Sequence, residues 1–170
     1  LVLLIGPGEA APTEVLNDWP EAARESGVVV CAIAPEKAER WQPKELDVVA
    51  KFAAAVMKKA PIDPVAVAVA TTGALQGGKA SAADSMALAV AISQSSTFFG
   101  VAVSNETRPP AIRLRENEPA TSLQVLMPVE TEDDLPAWGA GIKRSGYPIV
   151  LGGELDKQTL LNWVRLLQSI

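Results

Sequence analysis

The sequence predicts an α/β domain, a three-layer αβα sandwich around a mostly parallel sheet of about six strands. Three observations predict it. Short β-branched runs alternate with longer segments of helical spacing. Most of those runs are continuously apolar, as strands buried on both faces require. One helical segment is built largely of alanine, small enough to lie close against a sheet. Strand–helix alternation of this kind gives parallel strands joined by right-handed crossovers.

The strand candidates are Leu1–Ile5, Val28–Ala34, Val65–Ala70, Phe98–Ser104, Leu123–Met127 and Pro148–Leu151. Helices are expected between them. Pro12–Ser26 carries Val15, Leu16, Trp19 and Ala23 on one side, with Pro20 expected to kink or break it. Pro43–Lys59 opens with a proline suited to a first turn. Leu46, Val49, Phe52, Val56 and Met57 form its stripe, and Lys58 and Lys59 complement the C-terminal dipole. Lys79–Ser93 places Ala80, Ala83, Ala87, Val90 and Ala91 together, and Asp156–Gln168 places Leu160, Val164 and Leu167 in register. Glu106–Ser122, with Pro109, Pro110 and Pro119, reads as an excursion loop with a short edge strand at Ala111–Leu114.

The length of 170 residues suffices for one domain with a full core, and no linker divides it. The chain opens at Leu1 inside an apolar run, which suggests that residues 1–170 are part of a longer polypeptide. No run reaches about 18 apolar residues, so no membrane span is expected. A net charge of −5 disfavours nucleic acid as a partner. Cys31 is the only cysteine, which excludes an internal disulfide and a cysteine zinc site. The compartment is not assigned by these features.

There is no histidine. A histidine general base, a Cys-His dyad and a histidine-ligated metal or haem are therefore excluded within the chain.

The segment Gly73-Ala74-Leu75-Gln76-Gly77-Gly78 follows a strand and precedes the alanine-rich helix. It keeps the spacing of a G-x-S-x-G elbow, with Leu75 at the middle position. A glycine-rich βα turn without that ancestry accounts for the same residues. Four other segments fall in a telling order. Ile62-Asp63-Pro64 resembles the approach to an esterase nucleophile strand, and Trp41–Asp47 the opening of the helix before it. Leu4-Ile5-Gly6-Pro7-Gly8 resembles the "HGG" oxyanion loop, and Ser145–Val150 the "GYPVEL" approach to the last strand. Taken in order, the chain resembles the α/β-hydrolase fold, of the polyhydroxybutyrate-depolymerase, carboxylesterase or dienelactone-hydrolase kind.

The resemblance covers essentially the whole chain and starts at the family's third strand, so the first two are missing. It implies the spatial strand order Val28, Leu1, Val65, Phe98, Leu123, Pro148, naming each strand by its first residue. It places the nucleophile on Leu75, which has no nucleophilic atom. The acid falls on Asp133 or Asp134, and the histidine on Gly152, Gly153 or Glu154. Two of three triad members are thus gone, which removes orders of magnitude in rate. The resemblance implies a catalytically inactive hydrolase-like module without a cofactor. Other domains of the same polypeptide or a protein partner would dock on it. The amide of Gln76, one near Gly8 and the following helix N-terminus would converge on a small anion or carboxylate. Alternatively, Leu75 fills the old cleft.

Three rival readings use other residues. An active esterase with a non-standard site would draw on Ser81, Ser85, Thr71, Thr72, Cys31 or Lys79; Lys79 and Ser81, two apart, face different ways on a helix. Gly6-Pro7-Gly8-Glu9-Ala10-Ala11 fits the dinucleotide pattern G-x-G-x-x-A with Glu36 on the ribose, but that acid falls later than the usual ~20 residues. Glu130–Asp134 offers hard oxygens for Mg²⁺ or Ca²⁺, against a solvated acidic loop. Trp19, Trp41, Trp138 and Trp163 are scattered, as packing residues are, and form no stacking platform.

Overall fold

The computed structural model describes residues 1–6, 10–37, 40–111 and 123–167. The six apolar runs form six strands: β1 (Val2–Ile5), β2 (Val30–Ile33), β3 (Ala68–Thr71), β4 (Gly100–Ala102), β5 (Gln124–Met127) and β6 (Ile149–Leu151). Each is shorter than its apolar run; among the flanking residues Leu1, Phe98, Val103 and Leu123 stay buried outside the strands, while Val29 and Val65 are exposed. The strands pair in parallel in the order β2-β1-β3-β4-β5-β6. This agrees with the order that the resemblance implies. It is also the doubly wound order, with β6 added at one edge.

Among the described residues six α-helices cover the two faces: α1 (Pro12–Leu16), α2 (Pro20–Ser26), α3 (Leu46–Lys59), α4 (Ala82–Ser93), α5 (Ala137–Arg144) and α6 (Lys157–Leu166). Alternate residues of each strand point to opposite faces. Leu3, Ile5, Val69, Val101 and Val125 meet α3, α4 and α5. Val2, Leu4, Ala68, Ala70, Ala102 and Leu126 meet α1, α2 and α6. Burial of inner strands on both sides explains the unbroken apolar runs.

The helices correct several expected boundaries. Pro12–Ser26 is two helices, because Pro20 lacks the N–H a continuous helix needs and instead starts α2. Pro43–Glu45 forms a 3-10 turn ahead of α3. Lys79 and Ala80 precede α4, whose N-cap is Ser81. Helix α5 is not expected from the sequence, since Gly139 and Gly141 weaken any helical signal. Its packing supplies the reason for one of them: a methyl on Gly139 would lie 3.0 Å from Met127 Cε of β5. The expected edge strand at Ala111–Leu114 falls, beyond Ala111, outside the described residues. Among the described residues no helix is long and apolar enough to cross a membrane.

Size complementarity fixes how α6 sits on the sheet. Trp163 and Leu167, at the end of α6, lie over Gly100 of β4. A Cβ there would stand 2.6 Å from Trp163 Cη2 and 3.0 Å from Leu167 Cδ1. Trp19 and Trp163 are core residues, while Trp41 and Trp138 are half-buried. Gly100→Val is expected to destabilise the fold by about 1–3 kcal/mol through overpacking, despite valine's strand preference. A urea midpoint equal to or above wild type would refute this packing account.

Candidate functional site

Strand β3 lies inside the sheet, and the glycine-rich segment leaves its carboxyl end. Thr72–Ala74 form a 3-10 turn, and Leu75 follows in an extended conformation with φ −83° and ψ 156°. Gly77 takes a left-handed φ of +73°, which favours glycine. Helix α4 does not begin until Ala82, several residues beyond Leu75.

The turn is held by Asp84, a fully buried carboxylate on α4. Its Oδ1 accepts from Thr71 Oγ1 at 2.5 Å and from the Ser104 N–H at 3.0 Å. Its Oδ2 accepts from the Ser81 N–H at 2.7 Å and lies 3.4 Å from Ser81 Oγ. One side chain thus joins the end of β3, the start of α4 and the segment that leaves β4. Two glycines are explained by this closure. A methyl on Gly73 would sit 2.8 Å from Asp84 Oδ2, and one on Gly78 would collide with the Thr72 carbonyl oxygen.

This geometry departs from a nucleophile elbow. The elbow holds its central residue in a strained turn at the immediate start of a helix. Here no described residue other than glycine has positive φ. Two of the donors expected to converge on an anion are engaged within the chain. Gln76 N–H donates to the Leu155 carbonyl at 2.7 Å, and Gly78 N–H to the Leu75 carbonyl at 2.8 Å. At α4 the first amides are met by Ser81, whose Oγ accepts from Ala83 N–H at 3.2 Å. Pro7 and Gly8 lie outside the described residues.

A cleft of about 390 Å³ nevertheless opens along the carboxyl edge of the sheet. It brings Gly73 and Leu75–Lys79 together with Gly153 and Glu154, across from Asn105, Glu106 and Pro128. Leu75 is half-buried, and Lys79, Glu106 and Glu154 are exposed around it. Ala74 is buried beneath the turn, and Gly152 donates its N–H to the Met127 carbonyl at 2.8 Å. Asp133 and Asp134 do not line this cleft. They belong to a 3-10 turn, Glu132–Asp134, in which Asp134 Oδ2 accepts from the N–H and Oγ1 of Thr131. Glu132 pairs with Lys143 at 2.5 Å. Among the described residues no cluster of His, Cys, Asp or Glu could hold a metal ion.

A second hollow of about 420 Å³ shares Leu75, Gln76 and Leu155 and is completed by Ala22, Asp156, Lys157 and Gln158. Asp156 caps α6, accepting from Thr159 N–H at 2.7 Å, and this backbone bond holds its carboxyl below the usual range. Lys157 lies 3.6 Å from Asp18 and over the Trp19 ring.

Several residues of the rival readings are engaged elsewhere, while Lys79 stays exposed at the cleft. Thr71 is buried against Asp84, and Ser85 Oγ donates to the Arg108 carbonyl at 2.6 Å. Cys31 is half-buried in β2, and burial pushes its thiol pKa up. Gly6 donates its N–H to the Ile33 carbonyl and accepts from Trp41 Nε1 at 3.1 Å. Glu36 pairs with Lys44, and the helix after Gly6 is only five residues long.

Asp84 is the residue that sequence reasoning missed. Its signal was present: Ser81 and Asp84 form the S-x-x-D pattern of a capping box. Its bonds to Thr71 and Ser104 are not marked by any local pattern. The chain matches no protein-family model and no curated protein.

Asp84→Ala leaves the Ser104 and Ser81 amides and the Thr71 hydroxyl without their acceptor, and is expected to destabilise by on the order of 3 kcal/mol. A loss below about 1 kcal/mol in chemical denaturation would contradict this role. Asp156→Ala is expected to cost about 1 kcal/mol at neutral pH. Because the folded-state pKa is depressed, that contribution is complete above the ordinary carboxylate pKa of about 4. It is lost as pH falls through the folded value, so the two proteins' stabilities should converge in acid. Stability curves that stay parallel into acid would count against this assignment.

Proposed function

We propose that the chain is a catalytically inactive α/β-hydrolase-like domain that acts as a binding or structural module. Support for the ancestry is the order of its motifs, together with a strand order that agrees with it. Support for the loss of chemistry is chiefly the state of residue 75. A leucine occupies that position on relaxed extended backbone, and the next amide is bonded to Leu155. Nucleophile and oxyanion donor are both absent at the same place. The sequence carries no histidine to move a proton there.

The cleft suits docking better than turnover. Half-buried Leu75 and Pro128 provide an apolar floor, and Lys79, Glu106 and Glu154 provide a charged rim. An apolar centre with a polar border is the anatomy of a protein contact. Other domains of the same polypeptide or a separate protein would be the partner. A small anion is not part of this proposal, because the Gln76 amide is engaged.

A fluorophosphonate probe and a panel of carboxylic esters test the reading. Neither wild type nor Leu75→Ser is expected to label or turn over, since serine alone restores neither the strained turn nor a base. Labelling or turnover that survives Leu75→Ala but is lost on another single substitution would overturn it.

A further inference from the structure

We draw no further inference here: the strongest candidate, the cleft at the carboxyl edge of the sheet between the glycine-rich turn and Glu106, Pro128 and Glu154, belongs to the site already described, and with Lys79 beside two carboxylates on its rim nothing in the structure shows what covers it.

Discussion

The carboxylate of Asp84 is the point at which three separate stretches of chain are fastened together. Burying a charge is costly unless donors surround it, and here Thr71, Ser81 and Ser104 provide them. Those donors lie before the glycine-rich turn, after it, and beyond the neighbouring strand. The path of the turn is therefore dictated by the need to close around one anion. Gly73 must be glycine to let the carboxylate approach, and Gly78 to let the chain fold back on Thr72. The glycines that suggest a catalytic elbow thus have a mechanical explanation of their own.

That dual explanation bears on how function is read from spacing. Here close packing between the strand and the segment after it is met by Gly73 and Gly78, while Gly77 supplies a left-handed φ in open space. A catalytic elbow adds a strained central residue and a helix beginning at once. This chain satisfies the first condition without the second. The position where a reactive side chain would stand is relaxed, and the adjacent amide is drawn toward Leu155 on the far side of the sheet edge.

The legible parts of the fold were those with a local cause. The apolar runs of the four inner strands are unbroken because burial on both faces leaves no room for polar alternation. Pro20 marks a helix break because the missing N–H acts within one turn. What was not legible depended on distant partners. Helix α5 exists against its glycines because Gly139 packs on Met127 of another element. Nothing local marks the Gln76 amide as engaged; it is so because Leu155, remote along the chain, lies beside it. For the site, the missing nucleophile and histidine were plain from composition. The place of Asp133 and Asp134 in a capping turn was not, since acidic residues after a strand suit either role.

The seat of Trp163 over Gly100 has an evolutionary corollary. A bulky partner on the helix and a bare backbone on the strand form a lock whose halves cannot drift separately. Enlargement of the strand position is tolerated only after the indole has shrunk, and the shrunken intermediate leaves a void in the core. Related sequences should therefore exchange these two positions jointly or preserve them both. The contact seats the far end of the helix whose near end follows Leu155, the residue that receives the Gln76 amide.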